Sequence, residues 1–301
     1  MLTLALVAAA CGGESADTTT TTTLPEGAFL GADGVVTQIE DTSRIVVLNG
    51  DITEIIFELG LGDLIVGVDV TTTYPPGADD LPRIGVRQRL AAEPVLQLDP
   101  TLVIGDELVF PPEAIQQIRD AGVPVLIMKT QTNFDGIRTK ILEVAGILGV
   151  PAEGKALADR VDAELEAVLA TVPDEETPPR VLFVYARGAE TRLIFGRGMV
   201  TKALIEGAGG IDAGSDAGVF GTDDLTPEVV VAAAPDVLIT VDDALAVIGG
   251  PEGLKALPGV GETPAAQNDR IYSYDPALFL GFSNRAAEAL AALVDDLYPG
   301  Q

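Results

Sequence analysis

The side chains suited to recognition chemistry in this 301-residue chain are few, and their scarcity makes them informative. Histidine is absent, which removes the commonest general base and the commonest transition-metal ligand together. The single cysteine, Cys11, allows neither an intramolecular disulfide nor a thiolate cluster. Arg87 and Arg89 fall in one loop of the first half, and Arg187, Arg192 and Arg197 group in the second. An arginine presents a planar fork of donors that matches a carboxylate. In a chain of net charge −28 such grouping points to an anionic ligand; scattered pairing with the abundant Asp and Glu is the alternative reading. There is no G-x-S-x-G elbow, no Walker A run and no complete G-x-G-x-x-G, the nearest being Gly196-Arg197-Gly198. Ser-His-Asp and Cys-His chemistry is excluded, and no catalytic residue is expected.

A −28 charge repels nucleic acid and anionic lipid headgroups, so neither is an expected partner. The N-terminus carries a different signal. Leu2–Ala10 is apolar and ends in small residues, Cys11 follows, and a polar stretch with Thr18 to Thr23 comes next. That is the layout of a bacterial lipoprotein signal, with Cys11 as the lipidated residue. No Lys or Arg precedes the apolar run, which leaves the true start open. A run of nine residues is too short to span a bilayer, so the expectation is a lipid-anchored protein of the cell envelope.

From Arg44 onward, short β-branched runs alternate with helical patterns, the signature of parallel sheets covered by helices. Strands are expected at Ile45–Leu48, Ile65–Val68, Thr101–Ile104 and Val123–Ile127, with a helix over Asp51–Leu59 that Asp51 would cap. The plan restarts at Arg180, with strands at Val181–Val184, Val237–Ile239 and Ile271–Ser273. One passage recurs: Ala92-Glu93-Pro94-Val95-Leu96 up to Pro100, against Pro227-Glu228-Val229-Val230-Val231 up to Pro235. Each copy has a Glu in the first turn of a short helix, a proline that stops it, and a β-branched strand. Between the copies, Ala152–Val172 has helical periodicity and would run roughly 30 Å. The expected fold is α/β: two Rossmann-like lobes with parallel sheets, joined by one long spine helix, with the ligand cleft between them. The expected divisions are a signal over 1–11, a Thr-rich tether over 12–43, an N-terminal lobe over 44–150, the spine over 151–173 and a C-terminal lobe over 174–301.

Arg44–Asp69, Leu81–Gly105, Gly122–Pro124, Leu204–Gly210 and Leu278–Phe282 resemble the helical-spine solute-binding proteins of ABC importers, which handle vitamin B12, ferric siderophores and haem. Within that class the chain most resembles haem-binding lipoproteins, over about Arg44 to Tyr298. The resemblance implies a monomeric receptor that delivers haem to a permease dimer and its ATPase, with a ferric siderophore or a cobalamin-type corrinoid as the alternative cargo. It also implies that Glu93 and Glu228 engage the two permease subunits; the other reading is an acidic residue favoured by the helix dipole. Haem binders of this kind place a Tyr just after Leu-Pro-x-x-Gly, where this chain has Val86, and some add a His where it has Arg187. Tyr74 and Tyr185 are the available substitutes, since a phenolate is a hard donor for ferric iron. Arg87, Arg89, Arg187 and Arg197 would meet haem propionates or a carboxylate siderophore, and Phe220, Phe279 and Phe282 would wall the macrocycle or pack the core. No metal ion is expected to bind directly.

Overall fold

The computed structural model describes residues 24–188 and 190–300; Cys11 and the expected signal lie outside them. The described chain opens with a hairpin, β1 (Ala28–Leu30) and β2 (Val36–Gln38). The first lobe follows as β3 (Ile45–Val47), α1 (Gly50–Glu58), β4 (Ile65–Val68), α2 (Ala92–Leu96), β5 (Leu102–Asp106), α3 (Pro112–Asp120) and β6 (Val125–Met128). Two helices, α4 (Phe134–Ile147) and α5 (Pro151–Leu169), lead to the second lobe. That lobe contains β7 (Arg180–Arg187), β8 (Thr191–Phe195), α6 (Val200–Gly207), β9 (Ile211–Asp212), α7 (Ala213–Asp216), β10 (Thr222–Asp224), α8 (Pro227–Ala233) and β11 (Val237–Val241). It closes with α9 (Asp242–Val247), α10 (Gly250–Lys255), α11 (Pro264–Gln267), β12 (Ile271–Tyr274), α12 (Pro276–Gly281) and α13 (Ala286–Leu297).

The first sheet is wholly parallel, in the order β4-β3-β5-β6. The second runs β10-β8-β7-β11-β12, with β9 beside β7. It is mixed: β8 turns back on β7 through Gly188 (φ 78) and β10 pairs antiparallel with β8, extending the parallel β7-β11-β12 core. The expected parallel sheets thus hold for lobe one and for the centre of lobe two.

Side chains alternate across a strand, and here both faces are buried. Ile45 and Val47 of β3, Leu102 and Ile104 of β5, Val181 and Phe183 of β7, and Val237 and Ile239 of β11 all enter one apolar core common to the two lobes. Their neighbours Val46 and Val103 enter an outer core in lobe one, and Leu182 and Leu238 one in lobe two. The shared core is completed by α1, α4, α5 and α13, through residues such as Ile55, Ile141, Val161 and Leu290. The expected long helix between the lobes is α5, and it packs along α4: Gly154 of α5 passes so close to α4 that a Cβ there would overlap that of Ala145.

Two local expectations change. Asn49, not Asp51, occupies the N-cap position of α1; Asp51 lies in its first turn and pairs with Lys140. The stretch assigned to a tether over 12–43 folds from Ala28 to Gln38 as the β1–β2 hairpin. That hairpin covers the open edge of β6, with the Ala32 amide donating to Ile127 and the Thr37 hydroxyl to Val125.

The sequence repeat has a matching geometry. Asp99 (φ 50) and Ala234 (φ 43) both adopt the left-handed region immediately before a proline. Arg44 donates to the carbonyls of Leu98 and Asp99, and Arg180 donates to that of Ala233, so each lobe uses an arginine at the start of its first strand to satisfy the end of the equivalent helix. Glu93 and Glu228 stand exposed in the first turns of those two helices.

Candidate functional site

In a parallel sheet, ligands bind beyond the carboxyl ends of the strands, where successive loops diverge. In lobe one all four strands obey this. The turn after β3 supplies Asn49 to Ile52, that after β4 supplies Val70, Thr71 and Thr73, that after β5 supplies Asp106 to Leu108, and that after β6 supplies Met128 to Thr132. Facing them from lobe two are Tyr185 and Arg187 of β7, Asp243 after β11, and Pro276, Ala277, Leu280 and Gly281 of α12. Together they enclose a cleft of about 910 Å³, within the size range of small-molecule sites.

The cleft is locally neutral in a strongly acidic chain: Arg87, Lys129, Lys140 and Arg187 face Asp51, Asp106, Glu107 and Asp243. Lys140 is buried; it pairs with Asp51 and donates to the Phe282 carbonyl at 3.3 Å. Arg187 lies 3.6 Å from Asp243. No ion pair engages Arg87 or Lys129 among the described residues, so lobe one presents two cations that a ligand anion could neutralise. Burial raises the Asp106 carboxyl above its ordinary range against the lowering influence of Arg87, and the Asp51 charge adds to the rise. Asp69, wholly buried, is also raised by burial, countered by the Thr71 hydroxyl at 2.8 Å and by Arg87. Four buried polar atoms in residues of this wall lack a protein partner: Asn49 Oδ1, Arg87 Nε, Thr130 Oγ1 and Asp243 Oδ1. Apolar surface comes from Ile52, Met128, Phe195, Met199, Val200 and Leu280.

Of the residues singled out from sequence, the structure brings Arg87, Tyr185 and Arg187 into this wall. Others lie elsewhere. Tyr74 is 38% exposed behind the wall, its ring beneath the Arg285 guanidinium at 3.7 Å, so it does not line the cleft. Arg89 is exposed in a 3₁₀ turn whose Arg87 and Gln88 do reach the cleft. Arg197 and Phe220, joined by an isolated backbone bridge, are not among the cleft-lining residues, and Phe220 is 77% exposed. Arg192 is part-buried outside the lining, and Val86 points to solvent. Phe282 is 1% exposed and stacks on Phe134 at 5.5 Å, and Phe279 stacks on Tyr274 at 4.5 Å, so both are core residues. Sequence reasoning missed Asn49, Asp106, Glu107, Lys129, Thr130 and Lys140. All but Lys140 lie at or within two residues of the carboxyl end of a parallel strand, and that position was the available signal.

Comparison with known proteins places these observations in context. The family profile described as periplasmic binding protein matches residues 45–278. The chain is similar to the solved structure of the periplasmic heme-binding protein RhuT from Roseiflexus sp. RS-1 in apo form, with 46% identity, a TM-score of 0.83, and coverage of 86% of this chain and 98% of that one. It is also similar to the heme-binding protein HmuT, at 35% identity and a TM-score of 0.85, covering 92% of this chain and 91% of that one. Solved variants of HmuT replace a histidine, a tyrosine and an arginine by alanine, the last two separated by one residue. Among curated relatives, the Bacillus subtilis uncharacterized ABC transporter substrate-binding lipoprotein YvrC is 25% identical over 269 residues, covering 88% of this chain and 82% of YvrC. A vitamin B12-binding protein of Vibrio cholerae is 26% identical, covering 76% of this chain and 80% of its own length.

Proposed function

This chain belongs to the periplasmic binding protein family, as an ABC-importer substrate-binding protein of the haem, vitamin B12 and siderophore class, and from there we propose that its own ligand is haem. The observation that carries this reading is the Tyr185–Arg187 pair. The two residues share one face of β7, project at its carboxyl end, and reproduce the tyrosine-to-arginine spacing of the HmuT variants. Tyr185 phenolate is the proposed iron ligand, and Arg187 is the cation placed to stabilise it. Arg87 and Lys129 across the cleft are suited to carboxylates on the ligand edge, and Phe195, Met199 and Leu280 to its apolar face.

The chain acts by capture and hand-over. Glu93 and Glu228, exposed on symmetry-equivalent helices, are the proposed contacts to the two permease subunits, which with their ATPase form the importer. A lipid on Cys11 would hold the receptor at the membrane surface, as the name of the YvrC relative suggests; no helix among the described residues is long and apolar enough to cross a membrane. A corrinoid is the second reading, favoured by the vitamin B12-binding relatives and by Val86 standing where a lobe-one iron ligand would be expected.

Titration of the apo-protein with hemin tests the assignment. Haem binding through Tyr185 gives a saturable 1:1 Soret shift that Tyr185→Phe abolishes or displaces. Absence of a shift, with cobalamin binding instead, transfers the assignment to the corrinoid.

A further inference from the structure

Buried charges fasten the segment that carries the lobe-two side of the cleft to α1. Glu54 of α1 has a side chain only 2% exposed. It receives three hydrogen bonds from lobe two: Ser283 Oγ at 2.7 Å, Arg285 Nε at 3.0 Å and a second Arg285 nitrogen at 2.7 Å. One turn earlier on the same face of α1, Asp51 pairs with Lys140, which also holds the carbonyl of Phe282. Arg285 completes the arrangement by lying over the Tyr74 ring at 3.7 Å.

The lobe-two partners thus lie within Phe282 to Arg285, the turn joining α12 to α13. That turn has a functional neighbour on each side. α12 forms the lobe-two floor of the cleft through Pro276, Ala277, Leu280 and Gly281, while Tyr74 directly follows the lobe-one wall segment Val70 to Thr73. Withdrawing α12 from lobe one therefore requires separating Glu54 from Arg285, and Arg285 from Tyr74. Buried ion pairs contribute little net stability once desolvation is counted, yet breaking one by removing a single partner is costly because the other charge remains buried. What such a pair adds over apolar packing is one preferred geometry.

We infer that Glu54, Arg285 and Tyr74 form an inter-lobe latch that fixes the width of the cleft and so sets how long a ligand stays in it. The second half of that statement rests on the haem reading; the first does not.

The test uses the full chain in a Cys11→Ser background, with nitroxides on exposed cysteines introduced at Glu113 of α3 and Val247 of α9. Pulsed electron resonance then reports the inter-lobe distance. The double variant Glu54→Met with Arg285→Met removes both charges without leaving one buried alone. It is expected to broaden the distance distribution and to release hemin about tenfold faster. Tyr74→Leu, which touches only the exposed side of the latch, is expected to act in the same direction by less, and it decides the matter if the double variant does not fold. Distributions as narrow as the parent's, with hemin release unchanged in the variants that fold, would overturn the latch. A broadened distribution in a protein whose parent never binds hemin supports the latch and removes the haem reading instead.

Discussion

The guanidinium of Arg187 lies 3.6 Å from the Asp243 carboxylate, whose other oxygen is buried without a partner. Arg187 is thereby held toward the strand end from which Tyr185 also projects. If Tyr185 ligates haem iron as proposed, Arg187 is an outer-shell group of that centre, and removal of such a group typically costs about 10–100-fold in affinity. Arg187→Ala should therefore weaken hemin binding by about that factor while keeping the Soret maximum of the wild-type complex. Tyr185→Phe should move the maximum itself. Parallel hemin titrations distinguish the two outcomes.

Asp106 offers a check on the electrostatics of the lobe-one wall. Its carboxyl is raised by burial, so the folded protein holds a proton that the unfolded chain has already released. Stability must then fall as pH rises from the unfolded toward the folded pKa. Asp106→Asn removes that loss while keeping an oxygen to accept the Leu108 amide, now at 3.0 Å. Its Tm should exceed the wild-type value at about pH 8, and the gain should vanish below about pH 3, where the Asp is protonated in the folded and the unfolded chain alike. Thermal melts across that range provide the measurement.

Glu93 and Glu228 are exposed and remote from the cleft lining. Reversing both charges should abolish ligand uptake by cells carrying the importer, since like charges placed opposite each other at an interface are strongly unfavourable. Hemin affinity of the isolated protein should be unchanged. A loss of affinity would mean that the two residues act on the fold or the cleft.

Gly154 reports on the helix pair. A methyl group there would collide with Ala145 and force α5 away from α4. Gly154→Ala should destabilise by about 1–3 kcal/mol despite the better helix propensity of alanine, with the effect read from denaturant unfolding.

Much of this architecture was legible because the central strands are short, β-branched and bounded by helix-stopping residues. Val237-Leu238-Ile239 and Ile45-Val46-Val47 admit few other readings, and the Glu93/Glu228 repeat marks equivalent helices. The β8–β10 extension was missed since Thr191–Phe195 carries an arginine amid its apolar residues and depends on pairing with β7 to be a strand. The hairpin at Ala28–Gln38 was hidden for a similar reason: its stability comes from β6, far along the chain. The site was only half legible. Tyr74 and Tyr185 are equally plausible locally; what separates them is Arg285, which covers Tyr74 from the other lobe. Lys140 reads as an ordinary helical cation until folding places it against Asp51.

The inner faces of both sheets drain into the same apolar interior, built on α4 and α5. Neither half therefore owns a finished core. A fragment ending before β7 would lose the packing of α13 on α5 and of α12 on α1, and one beginning there would lose the same contacts from the other side. The apparent division into two lobes describes the ligand's view of the molecule. For folding, the chain is one cooperative body, expected to melt in a single transition, in which the strand-end loops can change cargo without disturbing what holds the halves together.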